Sequence, residues 1–563
     1  MDGRRMLGVG LLACVAWASL APDALAAEKR SVLIFGNTMG FRHGDAIKDG
    51  SPILEQVAKG LGYEAVVSED PATLDPDAIK QWHLLIFNNT TGDPTAERKL
   101  IKEEIDKDGK KKPVYQTIQH PERRNALIER VKEGAGWIGI HSATDSLYDF
   151  KEFNEMVNGW FSGHPWGGKV KVTIEEPDHP LMKPFGKGPW EVSDEIYQFR
   201  NYERTRARIL MSIYRPSVNV LGGNRKDRDY ATCWISLFGK GRVMYQAHGH
   251  GGNVFKMPEY REHMKLAMQW AVGDTEVPVV PSKVEEPAVV AARAVEKLRA
   301  AKTDEERVDP LDQLAATPSQ EAIALLLPLL DPKEKLAPMA ADAAQATVAA
   351  CADLPKDQKV ELLRKAFECC GNKRDLRKLI RSQATQLGIA DLPVVAPPGF
   401  ITHWFVAGPL SNKDSDFLAN AYPPEAGVDL ERGFIVKREG EPLTFAWKKV
   451  TSDDDGIVNL RNEVSKADAV GGYLYAEISV EKETPVQVLL GARDSFAAWL
   501  NGEKLGEQIG TKGLRPGQFK YKATLKPGAN KLLLKVCQTK GEWGACAQIV
   551  GPKNEKVDFT VPK

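Results

Sequence analysis

With 563 residues, the chain is too long for a single hydrophobic core, and two to four domains are expected. Its 42% apolar and 27% charged residues are ordinary for a globular protein. Lys+Arg and Asp+Glu both number 76, which excludes a global field that would recruit nucleic acid or an anionic membrane and leaves neutral partners such as carbohydrates open.

Residues 1–27 read as an export signal. Arg4 and Arg5 form a short basic region, Leu7 to Leu20 is apolar apart from small residues, and Ala24-Leu25-Ala26 is a small-x-small cleavage pattern. A periplasmic or secreted protein is expected. A membrane anchor would need about 20 apolar residues, more than this run supplies. A lipoprotein, through the loose lipobox Leu11-Leu12-Ala13-Cys14, is the weaker alternative because apolar residues continue beyond Cys14. No later stretch is apolar enough to span a membrane.

Residues 28–275 alternate short apolar runs with amphipathic helical stretches, which predicts a doubly wound α/β domain with a parallel sheet. SVLIFGN (31–37), HLLIFNN (83–89), GWIGIHS (136–142) and RVMYQAHGH (242–250) read as buried strands ending in polar residues. SPILEQVAKGLG (51–62) and RRNALIERVKEG (123–134) carry apolar residues at helical spacing with Gly at the end. Pro278, Pro281 and Pro287 mark a linker. Residues 283–395 turn Ala-, Leu- and Lys-rich, read as an all-α stack of degenerate HEAT-like repeats, and would serve as a spacer or as a surface for a protein partner. From 400 to 563, short alternating segments separated by Gly, Asn and Pro turns predict an all-β sandwich of jelly-roll type. Cys537 and Cys546 flank a Gly-containing turn, so a bridge across a hairpin and two free thiols both stay open there.

Nine of the ten histidines precede residue 275. Ligands of open parallel sheets bind at the carboxyl ends of strands, and His43, His141, His248 and His250 all follow such ends, with Asn88 and Asn89 on the strand between. A lone histidine at a strand end is often only hydrogen-bonded structure, but several at one edge point to a ligand cleft. His83, His120, His179 and His263 lie elsewhere and are left out.

The motifs GFRH (40–43), GIHSATD (139–145), FSGHPW (161–166), DEIYQF (194–199) and GKGRVMYQAHGH (239–250), in this order, resemble the ThuA-like family, named from trehalose utilisation and related in fold to class I glutamine amidotransferases. The resemblance covers roughly residues 30–275. It implies a flavodoxin-like or amidotransferase-like fold and a role in sugar metabolism, on a sugar or an oxidised keto-sugar. Amidotransferase-like folds present a nucleophilic Cys at a strand-to-helix elbow; the matching position here is His141, so glutaminase chemistry is not expected. Nor is GIHSA the Gly-x-Ser-x-Gly elbow of hydrolases.

Acid–base or metal-assisted chemistry remains. His43, His141, Asp145 and Glu195 are the catalytic candidates, with Glu195 favoured as acid/base because burial can tune a carboxylate towards neutrality. Asp194 and Glu195 are consecutive, so on a strand only one of them faces the cleft. His43, His141, His164, Glu195 and His250 are the candidate ligands of a divalent metal such as Zn²⁺. Asn37, Arg42, Asn88, His164, Trp166, Tyr197 and His248 are the candidate substrate contacts. LLGARDSFAAWLNGEKLG (489–506) resembles galactose-binding-like domains appended to glycosidases, with Trp447, Trp499 and Trp543 as aromatics of interest. The alternative to an enzyme is a non-catalytic carbohydrate-binding or envelope scaffold protein.

Overall fold

The computed structural model describes residues 29–105, 111–437, 441–510 and 513–562. The export signal and Cys14 lie outside them. The chain divides into two compact units that part between Arg293 and Ala294.

The N-terminal unit is built on one nine-stranded sheet. Its strands are β1 (Ser31–Phe35), β2 (Glu64–Ser68), β3 (Leu84–Asn88), β6 (Gly136–Ile140), β7 (Trp160–Ile174), β8 (Trp190–Arg200), β9 (Arg208–Ile213), β10 (Ala231–Phe238) and β11 (Gly241–Gln246). β4 (Glu97–Ile105) and β5 (Lys111–Ile118) form a separate hairpin. The order across the sheet is β2-β1-β3-β6-β11-β10-β9-β7-β8. The first five run parallel; the last four join antiparallel. The sheet is therefore mixed, not the parallel one expected. Tight connections such as Gly239–Lys240, with Gly239 at φ +62°, return the chain beside itself, where a parallel neighbour would need a long crossover.

Strand period two explains the two layers. Val32 and Ile34 of β1 point into a core with α1 (Ser51–Gly60) and α5 (Pro258–Ala271), and Leu33 and Phe35 into another with α2 (Pro121–Glu133) and α3 (Lys151–Val157). β1 and β3 are buried on both faces or nearly so, as their continuous apolar runs require.

On α5, fully buried His263 ties the helix to β11 and to the segment at Leu181. Its Nδ1–H donates to the Leu181 carbonyl (2.9 Å), and Nε2 lies 3.2 Å from the Gln246 amide nitrogen. Burial pushes its pKa down to about 4. A depressed folded-state pKa means that this stability is fully present above the unfolded value near 6.5 and drains away as pH falls towards 4. Between pH 7 and 4.5 one such histidine removes about 2–3 kcal/mol of stability. Urea unfolding at the two pH values should show that loss in the wild-type protein and a smaller one in His263→Asn.

In the second unit, α7 (Asp304–Ala316), α9 (Ala337–Ala350), α10 (Lys356–Glu368) and α11 (Arg374–Gln386) pack in succession. A six-stranded sheet follows, ordered Lys448–Thr451, His403–Ser411, Val470–Val480, Gly528–Gln538, Ser495–Leu500 and Glu503–Gln508, with a four-stranded sheet of Val458–Asn459, Gly544–Val550, Thr484–Ala492 and Phe519–Leu525. Leu474, Val488, Leu534 and Ala547, drawn from both sheets, share one apolar core. Cys537 and Cys546 do not bridge. After Gln538 the chain leaves one sheet for the other, so Cys537 pairs with Gly471 and Ser495, and Cys546 with Gly491; both thiols are free. Trp543 is core, and Trp447 and Trp499 pack partly buried on the outer face of the larger sheet. Among the described residues, no helix is long and apolar enough to cross a membrane.

Candidate active site

The carboxyl ends of β1, β3, β6 and β11, neighbours in the sheet, present their following residues to one edge. β6 breaks at Ile140 into a short 3-10 turn, His141–Thr144. His141 occupies the elbow at φ +47°, a left-handed conformation that a β-carbon disfavours. Several bonds hold it there: its own carbonyl accepts from the Tyr245 hydroxyl (2.6 Å), and its Nδ1 lies 2.8 Å from the Ala247 carbonyl. A carbonyl only accepts, so Nδ1 carries a proton and Nε2 is the nitrogen turned towards the cleft.

His141 Nε2 faces a cluster. His250 Nδ1 lies 3.2 Å from His141 Nε2, and Glu195 Oε2 lies 3.3 Å from the former and 3.6 Å from the latter. His43 closes the group, its ring 5.0 Å from that of His141 and 4.9 Å from that of His250, with Nδ1 3.2 Å from the Ser142 hydroxyl. One ligand atom from each of His43, His141, Glu195 and His250 lies within 4.8 Å of every other. Burial, reinforced by His141 and His250, pushes His43 down to about 3, and burial lowers His250 as well, so both rings are neutral near pH 7. For Glu195 burial opposes ionisation, but His141, His250 and His164 together hold the carboxyl below its usual range, so the tuning towards neutrality expected from sequence is reversed by the histidines gathered around it.

The adjacent acid does different work. Asp194 is buried and accepts the backbone N–H groups of Gly249 (2.7 Å) and His250 (3.1 Å), which fixes the loop carrying His250. The alternation of β8 thus sends Glu195 to the cleft and Asp194 beneath it. The cleft, about 390 Å³, is bounded by the β7–β8 segment (His164 to Gly168, Ser193 to Glu195) and by His250, Gly251 and Asn253.

Residues 31–271 match the ThuA family, described as trehalose utilisation. The resemblance read from the five motifs therefore holds for this domain. Solved structures similar to it include ThuA-like proteins of Bacteroides uniformis (17% identity, TM-score 0.35, covering 46% of this chain and 97% of that one) and Parabacteroides merdae (14%, 0.32, 46% and 94%), and a cytoplasmic protein of Salmonella typhimurium (10%, 0.28, 43% and 99%). No curated protein matches the chain.

Within the ThuA-like domain the other residues singled out by sequence divide in two. His164 is half-exposed with Nδ1 3.2 Å from Glu195 Oε1, outside the four-ligand group but in contact with it. Tyr197 is buried with its ring 4.0 Å from that of His141, and Asp145 receives the Tyr148 hydroxyl (2.5 Å) with its pKa raised by burial. Trp166 lines the cleft but is otherwise core, its indole N–H donated to the Asn219 carbonyl. The remaining four are held away from the cluster. Asn37 donates to the Pro94 and Ala96 carbonyls, Asn88 to the Ala46 carbonyl and Ser51 hydroxyl, and Arg42 forms a two-pronged pair with Glu69. His248 lies fully buried between the Trp190 ring and Asp194. Such internal hydrogen bonds leave no trace in a sequence. Asn89, placed by sequence at the same edge, pins the Gly249 carbonyl through its amide (3.0 Å), while sequence reasoning missed Ser142 as the partner of His43. Cys233 is buried in β10, where burial pushes its thiol up, and it is no nucleophile.

Proposed function

We propose that the ThuA-like domain is an enzyme acting on a sugar or keto-sugar derivative, with His43, His141, Glu195 and His250 as ligands of a divalent metal such as Zn²⁺. The observation that carries this reading is the convergence of three imidazoles and one carboxylate, from four separate loops and strands, at the edge where open α/β sheets bind ligands. Three nitrogens and one oxygen, two of the imidazoles kept neutral by burial, are donors suited to zinc or a similar first-row ion. When bound, such an ion polarises a sugar carbonyl or hydroxyl oxygen and acidifies a water. Ala247 orients His141 through its far nitrogen, as the outer partners of metal-binding histidines do. His164, at the mouth of the cleft on the free oxygen of Glu195, takes or delivers the proton in exchange with solvent. Asp145, buried and hydrogen-bonded to Tyr148, is the second carboxylate in reserve.

The chain's first 27 residues direct it, on this reading, to the periplasm or the exterior. The second unit acts as scaffold, with its sandwich a galactose-binding-like module.

The experiment is elemental analysis of the purified full chain together with a turnover screen on trehalose, other disaccharides and their keto forms. About one equivalent of metal per chain and turnover of at least one sugar are expected, with both lost in His141→Ala. Sugar binding without metal or turnover, unaffected by that substitution, would return the domain to a recognition role.

A further inference from the structure

Phe41 is 69% exposed, although the loop that carries it is clamped. The Met39 N–H donates to the Thr91 carbonyl (2.8 Å) and the Gly40 N–H to the Thr91 hydroxyl oxygen (3.2 Å). That hydroxyl donates to the Phe41 carbonyl (2.8 Å), and Arg98 donates to the Met39 carbonyl (3.0 Å). Gly40 eases the close approach of the two loops: a Cβ there would sit 3.2 Å from the same hydroxyl oxygen and push it aside. The Phe41 side chain takes no part in these bonds. Its ring meets His43 edge-to-face, with centroids 4.9 Å apart.

Thus a large apolar ring stands in solvent on a clamped backbone, beside a member of the ligand cluster, and its burial is not what shapes the loop. Leaving so much apolar surface uncovered forfeits hydrophobic stabilisation, and a rigid aromatic next to convergent polar groups is the make-up of a small-molecule site. A pyranose fits both halves. Its axial C–H bonds make an apolar face for the ring, and its hydroxyls point outward to polar neighbours.

We propose that Phe41 is the platform on which a pyranose ring of the substrate lies, with the hydroxyl rim of that ring directed towards His43. The inference rests on the sugar reading of the domain and adds the ring form of the sugar to it. It also assigns a substrate contact on the His43 side of the cluster, whereas the cleft meets the cluster at Glu195 and His250.

The test is saturation-transfer NMR on the full chain with trehalose and its keto form, and with sorbitol as a control that has no ring. Wild-type protein should saturate the C–H protons of a sugar ring and leave sorbitol untouched. Phe41→Ala should reduce that transfer severalfold at equal sugar concentration and weaken binding or raise KM about tenfold with kcat little changed, as expected for uniform binding. Phe41→Trp should restore it, and metal content should be the same in all three. Equal sugar binding by wild type and Phe41→Ala overturns the proposal, as does equal saturation of sorbitol. So does a Phe41→Ala protein that loses its metal, since Phe41 would then merely support His43. If wild type carries metal but binds neither sugar, the platform falls and the metal centre stands. If sugar binds through Phe41 and no metal is present, the platform stands and the metal-assisted reading falls.

Discussion

Glu195→Gln lowers kcat on any sugar the protein turns over by at least about a hundredfold, within the range for loss of a positioned acid–base group. The substitution keeps the size of the side chain and removes the only carboxylate among the four converging groups. Oε2 now lies within 3.6 Å of both His141 Nε2 and His250 Nδ1, and Oε1 within reach of His164. An amide offers a neutral oxygen and an N–H to the same neighbours, so the one anionic donor of the group is lost, and metal per chain should fall with kcat. The fold should survive, because Glu195 is partly exposed and the backbone bonds of the 249–250 loop belong to Asp194. Elemental analysis, kcat and circular dichroism on one preparation check all three statements. Undiminished turnover in Glu195→Gln would remove the acid from the mechanism. Asp194→Asn makes the contrast: it disturbs the loop that carries His250 and should destabilise the domain as well.

How much of this was legible beforehand depends on the range of the interaction. His43, His141 and His250 each follow an apolar run, and the rule that ligands sit at the carboxyl ends of parallel strands was enough to group them. Glu195 came from a motif, and strand alternation correctly warned that it and Asp194 would part company. What sequence could not supply was the antiparallel half of the sheet. Glu195 reaches the cluster because β8 pairs with β7 in a bulged register that sets Gly167 opposite Glu195 and Trp166 opposite Ile196, and no local pattern encodes that pairing. Asn37 and Asn88 looked like ligand-binding groups for the same reason that they serve as internal ties: short polar side chains near strand ends satisfy whichever buried groups lie closest; Arg42 instead pairs on the surface with Glu69. Cys537 and Cys546 misled through proximity in the chain, which says nothing about whether two strands stay in one sheet.

The second unit carries a prediction of similar size. Asp453-Asp454-Asp455, on a tight turn ahead of Gly456, meets a basic stripe on α11. Arg374, Lys378 and Arg381 recur at intervals of four and three residues and so share one face. Asp455 pairs with Arg374 and Lys378. Asp454, whose side chain is 1% exposed, accepts two bonds from Arg381 (both 3.0 Å) and the Val395 N–H (2.9 Å). These bonds tie the last helix and the segment after it to the β-sandwich, which accounts for helices and strands forming one compact unit although composition divides them near residue 395. Asp454→Ala strands a guanidinium and a backbone N–H at a buried contact and should cost about 3 kcal/mol. Because the lost bonds join two kinds of structure, urea unfolding followed by far-UV circular dichroism should change from one transition to two, the helical component melting first. Asp391→Ala, which removes an exposed partner of Arg364, should leave the midpoint where it was. Asp454→Ala unfolding in a single transition at the wild-type midpoint would mean that the apolar core alone couples helices to sandwich and that the acidic turn is incidental.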